Sequence, residues 1–144
     1  MSIIEKLRSQ FDKSHNVWFF VDVNYRILYF NSKAAANSLV FHQRQINTGE
    51  SILDYAKDTE NNVDEDFITC LGKAASGQVV KREQEVVYQE ASIWTRSTYM
   101  PVYNNTDLEG ISVEVEDITS LRNGAKVIKR MKADDRDTPG DQPV

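Results

Sequence analysis

The spacing of apolar side chains changes several times along the chain, and each change predicts a new secondary-structure element. Residues 3–11 carry their apolar side chains on one helical stripe, which predicts a short amphipathic helix. Residues 17–23 and 26–30 are rich in β-branched and aromatic side chains, with Asn24 and Tyr25 as a turn between them, which predicts an antiparallel hairpin. Both strands are apolar on both faces, so we expect helices on one face and another element, or a second chain, on the other.

The middle of the chain has the spacing of helices. Asn31 can cap an alanine-rich helix over residues 33–39, and Ser51 can begin a single helical turn. A longer helix is predicted over residues 61–76, capped by one of the two asparagines at its start and ended by Gly77. Its apolar stripe comprises Val63, Phe67, Cys70, Leu71 and Ala74.

Three strand-like segments follow the helices, over residues 79–89, 93–103 and 110–116, with a cluster of turn-forming residues at 104–107. Two strands, a block of helices and three further strands predict an α+β fold with an antiparallel sheet. After the last strand, residues 118–128 have a short coiled-coil-like seam, which predicts a final helix.

These patterns divide the chain into four parts. We expect an N-terminal amphipathic helix (1–14), one folded domain (15–119), a C-terminal helix (120–133) and a disordered acidic tail (134–144). The tail holds four aspartates against one arginine, together with two prolines and a glycine, a composition that favours solvation over packing.

Composition narrows the function classes. The 144 residues carry a net charge of −5, which argues against nucleic acid or an anionic membrane surface as a partner, because both attract basic patches. No apolar run approaches the length of a membrane span, and the first residues do not form a secretion signal. The single cysteine, Cys70, excludes an internal disulfide. We therefore expect a cytoplasmic protein without membrane or nucleic-acid partners.

Three short motifs point to a known family. Residues 21–31 (VDVNYRILYFN) form a hairpin in which an Asp closes the first strand and an Asn closes the second, before an alanine-rich helix. Residues 93–96 contain a Trp-Thr pair, and residues 107–119 run through Gly110 to a terminal Asp-Ile-Thr. In this order the motifs resemble those of the PAS domain family over roughly residues 12–121. The family often has glycine at the place of Tyr25, and a wider hairpin turn would accommodate the tyrosine.

The resemblance implies a five-stranded antiparallel sheet with helices packed on one face, in a sensory module whose last helix carries the output. It implies that Asp117 and Thr119 couple the last strand to that helix, with Arg96 or Arg26 as the partner of Asp117. The alternative is that Asp117 and Thr119 merely cap a helix. It also implies a homodimer and either a fused output domain or a signalling partner, such as a bacterial two-component sensor kinase.

PAS domains can hold flavin, haem, a small metabolite or nothing, and the residues argue against flavin and haem. Flavin-binding light sensors carry a reactive cysteine in an Asn-Cys-Arg run, whereas Cys70 lies on the apolar stripe of the long helix and is expected to be structural. Haem sensors carry a histidine in that helix, which has none, and we interpret His15 and His42 as surface or capping residues. We therefore predict no cofactor and no metal site, and an unknown small molecule stays open.

The strand over residues 93–103 contains the candidate ligand site. One face carries Thr95, Ser97 and Tyr99, and the other carries Trp94, Arg96, Thr98 and Met100. If either set faces the helices, it gives an apolar cavity a few polar groups, which is the usual composition of a small-molecule site. Otherwise the hydroxyls merely suit an outer strand face. The predicted ligand-binding residues are Tyr29, Ile52, Phe67, Thr95, Ser97 and Tyr99.

Two alternatives to a signalling module stay open. The first is a stand-alone protein that binds a small metabolite, and the second is a small enzyme. The sequence has no nucleophile motif and no glycine-rich phosphate loop, so we do not expect catalysis.

Overall fold

The computed structural model describes residues 2–61, 63–89 and 91–123. The elements are helix α1 (Ile3–Phe11), strands β1 (Val17–Val21) and β2 (Ile27–Phe30), helix α2 (Ser32–Asn37), a π-helix (Ser38–His42), helices α3 (Ile52–Ala56) and α4 (Asp64–Ala75), and strands β3 (Val80–Val87), β4 (Ser92–Asn104) and β5 (Asp107–Asp117). The five strands in the described ranges form one antiparallel sheet in the order β2-β1-β5-β4-β3. The predicted α+β fold is confirmed.

The turn between β1 and β2 is tighter than the sequence analysis expected. Tyr25 itself adopts the left-handed conformation, with φ of 64°, instead of being accommodated by a wider turn. The Asp22 carboxylate accepts hydrogen bonds from the backbone N–H groups of Asn24 and Arg26, at 2.9 and 3.0 Å. These bonds, and the packing of the Tyr25 ring against the core, offset the cost of about 1 kcal/mol that a side chain incurs in this conformation.

Asn31 ends β2 and begins α2, as predicted. Its side-chain oxygen accepts a hydrogen bond from the Ala34 N–H at 2.9 Å, which is an N-cap contact. The helix ends at Asn37, two residues before its predicted end, and continues as the π-helix. Gln43, with φ of 55°, ends the π-helix, and the Ser38 hydroxyl donates to the Arg44 carbonyl at 2.8 Å.

The long helix starts at Asp64, and Asn61 does not cap it. The Asn61 amide instead donates to the Glu85 carbonyl of β3 at 2.7 Å, and its oxygen accepts from the Val87 N–H at 3.1 Å. An asparagine side chain matches the donor and acceptor of a strand backbone, so it serves here as a link to the sheet. Gly77, with φ of 107°, follows the helix end as predicted.

The described domain has a hydrophobic core on each face of the sheet. The larger core lies between the inner face and α2, α3 and α4, and includes Phe19, Leu71 and Val113. The smaller core lies on the outer face, where α1 covers β1 and β2 and the Phe11 ring stacks on Trp18 at 5.3 Å. Both apolar faces of β1 and β2 are therefore covered within one chain. Helices α2, α3 and α4 cover the inner face, and α1 covers the outer face.

Residues 119–123 are helical and are separated from β5 by Ile118 alone. The rest of the predicted C-terminal helix and the predicted acidic tail lie outside the described residues. In the described ranges, no helix has both the length and the apolarity needed to cross a membrane.

Candidate functional site

A cavity of about 440 Å³ lies between the inner face of the sheet and the helices that cross it. Helices α2, α3 and α4 and the π-helix form one wall, and β1, β3, β4 and β5 form the other. Apolar and aromatic side chains dominate the lining, with a few hydroxyl, amide and imidazole groups among them. The charged side chains of the lining, Lys33 and Asp117, belong to exposed residues.

The hydroxyl-bearing face of β4 is the inner one. Thr95, Ser97 and Tyr99 are buried and line the cavity, which excludes the alternative that these hydroxyls lie on an outer face. The Thr95 hydroxyl makes a long hydrogen bond of 3.4 Å to the Gln84 carbonyl. Burial raises the pKa of the Tyr99 phenol, so it stays protonated across the physiological range.

The other predicted wall residues divide between the two faces of the sheet. Ile52 and Phe67 line the cavity. Tyr29 does not, and its predicted place there is wrong. It lies opposite Phe20 in the β1–β2 pair, and both side chains are on the outer face, with ring centroids 6.2 Å apart and Arg8 above the tyrosine ring. Since both faces of β2 are apolar, the sequence did not distinguish inward from outward residues there.

His42 belongs to the cavity wall, and its interpretation as a surface or capping residue is wrong. Its side chain is 9% exposed, and Nδ1 lies 2.9 Å from a carboxylate oxygen of Asp58. The ring also makes edge-on contacts with Tyr55 and Tyr88, each at 5.3 Å between centroids. Burial lowers the pKa of His42, and this effect exceeds the opposing effect of Asp58. His42 is the last residue of the π-helix, sixteen positions before Asp58. No local pattern in the sequence predicts a contact between these two residues.

The two remaining candidate side chains, His15 and Cys70, lie at the mouth of the cavity and behind its lining residue Tyr99, respectively. His15 lines the exposed rim of the cavity. Cys70 is buried in the larger core, and burial raises the pKa of its thiol, as expected of a structural residue.

The Asp-Ile-Thr segment pins the end of β5 to the start of β4. The Thr119 hydroxyl accepts a hydrogen bond from the Trp94 N–H at 2.9 Å, and the Ile118 N–H donates to the Trp94 carbonyl at 2.8 Å. The Asp117 carboxylate accepts from the Thr119 N–H at 3.0 Å, which caps the outgoing helical turn. Ile118 is almost completely buried. We call residues 117–119 with Trp94 the joint.

Neither predicted arginine partner reaches Asp117. Arg96 lies opposite Glu116 and forms ion pairs with Glu116 and Glu83, at 3.2 and 3.0 Å. Asp117 is opposite Thr95, and because side chains alternate along a strand, Arg96 and Asp117 are on different faces. Arg26 donates instead to the Gly49 carbonyl.

A cation that the sequence analysis did not identify contacts the joint. The Arg122 guanidinium lies 3.7 Å above the Trp94 ring and 3.6 Å from a carboxylate oxygen of Glu83. The outgoing helical turn is therefore held to β3 and β4 by a cation–π contact and an ion pair as well as by the Thr119 hydrogen bond.

The comparisons with known proteins agree on the fold. A family model described as "PAS fold" matches residues 11–123. The PAS domain of BvgS from Bordetella pertussis is 18% identical, with a TM-score of 0.65, over 90% of this chain and 96% of that chain. A phage VqmA–DPO complex has the same identity and TM-score, over 91% of this chain and 58% of that chain. The sensor region of a sensor histidine kinase is 14% identical, with a TM-score of 0.59, over 77% and 42% of the two chains.

Among curated proteins, none matches the chain in sequence. The identities to these three solved structures are below 20%, so their likeness concerns the fold alone. The family match, by contrast, extends over most of the chain and over every strand of the sheet. The chain therefore belongs to the PAS-fold family and contains a PAS sensory domain.

Proposed function

We propose that the protein is a sensory and signal-transduction module that binds a small neutral molecule in the 440 Å³ cavity and transmits the event through the joint. The observation that carries this proposal is the cavity itself, with its apolar wall and inward-facing hydroxyls. Small-molecule sites typically have this volume and this composition.

The cavity favours an uncharged, largely aromatic ligand. Its buried lining contains no carboxylate, lysine or arginine, so a charged ligand would lose hydration without gaining a buried counter-charge. Phe67 and Tyr99 meet edge to face at 5.7 Å and offer an aromatic surface for stacking. The phage VqmA–DPO complex supports the proposal because it joins a similar fold to a bound molecule.

The route from the cavity to the outgoing helix is short. Thr95 faces the cavity, its neighbour Trp94 supplies the backbone groups that hold Ile118 and Thr119, and Asp117 lies directly opposite Thr95. A ligand that displaces the Thr95 segment of β4 therefore acts within one residue of the joint. Such a contact between a strand end and a helix start provides the two-state element that signal transfer needs.

We further propose that the module acts as a homodimer and signals to a fused output domain or a partner protein. Leu121, on the outgoing helical turn, is 63% exposed and offers an apolar contact to a second helix. The similar fold in a sensor histidine kinase supports a role in two-component signalling. Sedimentation equilibrium of the full chain tests the dimer. A monomer at all concentrations up to about 1 mM, the effective concentration of a module on a short linker, would contradict it.

Filling the cavity is expected to abolish ligand binding. Ala56→Leu and Ser97→Leu each add bulk to a buried lining residue, whereas Thr98→Leu adds it on the outer face of the same strand. We expect indole and 2-naphthol to raise the melting temperature of the wild type and of Thr98→Leu by about 4 °C at ten times Kd. The two filled variants should show no shift.

Differential scanning fluorimetry measures these shifts, and circular dichroism checks that each variant is folded. Benzoate serves as the charged comparator and should give no shift. If neither aromatic compound shifts the wild type, or if both filled variants respond like Thr98→Leu, the proposed site is wrong.

Removing the Thr119 hydroxyl is expected to uncouple the joint. Thr119→Val leaves the Trp94 N–H without its acceptor, at a cost of about 1–2 kcal/mol, whereas Thr119→Ser keeps the hydroxyl. Hydrogen exchange followed by mass spectrometry should show faster exchange at Trp94 in Thr119→Val only. With 2-naphthol bound, the protection of residues 118–123 should change in the wild type and Thr119→Ser but not in Thr119→Val. Equal responses in all three proteins would remove the joint from the signalling route.

A further inference from the structure

His42 lines both the central cavity and a second, polar cleft of about 230 Å³, as do its neighbours Val40, Phe41 and Tyr88. Three side chains fix the position of the His42 ring. Tyr55 and Tyr88 contact the ring edge-on, at interplanar angles of 76° and 89°, and Asp58 binds Nδ1. An imidazole held on three sides presents its remaining nitrogen in one direction only.

The bond to Asp58 decides which nitrogen carries the proton. A carboxylate can only accept, so Nδ1 of His42 must be the donor, and in the neutral ring Nε2 is then an acceptor. Burial lowers the pKa of His42 and keeps the ring neutral near pH 7. Among the described residues Nε2 of His42 makes no hydrogen bond. It is not one of the fully buried unpaired atoms in that part of the chain, which are both on Arg44, so Nε2 is accessible to a ligand or to water.

The other polar groups of the wall discriminate less between ligands. A hydroxyl such as that of Ser97 can rotate to donate or to accept, so it suits ligands of either kind. The Tyr55 hydroxyl donates to the Glu50 carboxylate at 2.6 Å, and the Thr95 hydroxyl to a backbone carbonyl. A neutral Nε2 can only accept, and it is unfavourable to leave it unpaired against a ligand that displaces water.

We propose that Nε2 of His42, with its tautomer fixed by Asp58, selects aromatic ligands that carry a ring N–H or a phenolic O–H. This inference rests on the proposed function, since it concerns the ligand of the same cavity. Azoles, indoles and phenols belong to the selected class, and their N- or O-methylated counterparts do not.

Matched probe pairs test the selection. Indole and 1-methylindole differ in one donor, as do 2-naphthol and 2-methoxynaphthalene, and a cavity of 440 Å³ has room for the added methyl group. Isothermal titration of the full chain should give about a tenfold preference for the donor of each pair. In His42→Phe the preference should fall to about one, while the methylated probes keep their wild-type affinity. Thr98→Leu, on the outer face of β4, is the control and should keep the preference.

A second variant tests the tautomer. In Asp58→Asn the side chain can either donate to Nδ1 or accept from it, so the tautomer is no longer fixed and the preference should weaken. A pH series adds a readout, because protonation makes both ring nitrogens donors. The preference should therefore be strongest in neutral to alkaline solution and be lost as the pH falls through the lowered pKa of His42. Asp58 and Arg44 are the charged groups facing the ring, and burial raises the pKa of Tyr55 and Tyr88 to about 12, so neither phenol ionises in this range.

Each outcome has one meaning. If no probe binds the wild type, the proposed function fails and this inference fails with it. If donor and methylated probes bind the wild type equally, or if His42→Phe keeps the preference, the role of His42 is overturned while the cavity remains a binding site. A preference lost in His42→Phe and weakened in Asp58→Asn, but kept in Thr98→Leu, supports the proposal.

Discussion

Asn31→Leu is expected to lower the free energy of unfolding by about 3–5 kcal/mol, although it replaces one small side chain. The Asn31 oxygen accepts hydrogen bonds from the Trp18 and Ala34 N–H groups, at 3.1 and 2.9 Å. Its amide donates to the Phe11 and Asn16 carbonyls, at 2.8 and 2.9 Å. One buried amide therefore joins the end of α1, the start of β1 and the cap of α2. Leucine leaves the Trp18 and Ala34 N–H groups and the Asn16 carbonyl unpaired, whereas the Phe11 carbonyl keeps its bond from the Ser14 N–H at 3.0 Å.

Asn31→Asp separates the two halves of this network. The carboxylate keeps the two bonds that the oxygen accepts, but it faces the Phe11 and Asn16 carbonyls without a donor. The pKa of the introduced carboxyl should be raised in the folded state, because its neutral form can donate one hydrogen bond. The free energy of unfolding of this variant should therefore be closer to that of the wild type at pH 4.5 than at pH 7.5.

Urea denaturation followed by circular dichroism measures both effects. Asn24→Leu, at an exposed turn position, is the control and should change the stability little. A loss below about 1 kcal/mol for Asn31→Leu would show that water replaces the four bonds and that Asn31 does not organise the domain.

Gly110→Ala is expected to be the most destabilising methyl addition in the described sheet, with a loss of at least about 3 kcal/mol. A β-carbon at position 110 would collide with the Val21 carbonyl oxygen and lie 2.8 Å from the Phe20 ring. Both obstacles are held in place, since Val21 belongs to β1 and Phe20 to the outer core. Relief requires β5 to move away from β1, which breaks the central strand pair.

Gly72→Ala is the matched control for this change. A β-carbon at Gly72, inside α4, has no atom within 4 Å, and alanine favours the helix by about 0.5–1 kcal/mol. The melting temperature should therefore fall for Gly110→Ala and rise for Gly72→Ala. If Gly110→Ala retains wild-type stability, the close packing of β5 against β1 is wrong. If the single variant cannot be purified as a folded protein, the double variant with Gly72→Ala provides a second measurement.

The order of elements and the fold class could be predicted because each segment has a clear local signal. The hairpin, the Ser51 turn, the Gly77 stop and the alternating last strand depend on neighbouring residues, and all are present. The inward side of β4 could be predicted only as one of two choices, because residues 94–100 carry polar groups on both faces. In the structure Thr95 and Ser97 are buried and face the helices.

The errors concern contacts that depend on register or on irregular backbone. Arg96 and Asp117 are close in space along the strands but on different faces, and only the β4–β5 register reveals this. Tyr29 is on the outer face because its apolar strand has no polar side to mark the direction. His42 reaches Asp58 through a π-helix, and Asn61 binds a strand instead of capping a helix, so neither contact follows from sequence spacing.

The two tryptophans give the molecule a pair of internal optical reporters. Trp18 is fully enclosed, and its indole nitrogen donates to the Ser112 hydroxyl at 2.9 Å, so its emission should be blue and insensitive to quenchers. Trp94 is partly exposed beneath the Arg122 guanidinium. Its emission should therefore be redder and should vary with the pose of the departing helix. Fluorescence can thus follow events at the two places separately, without any attached dye.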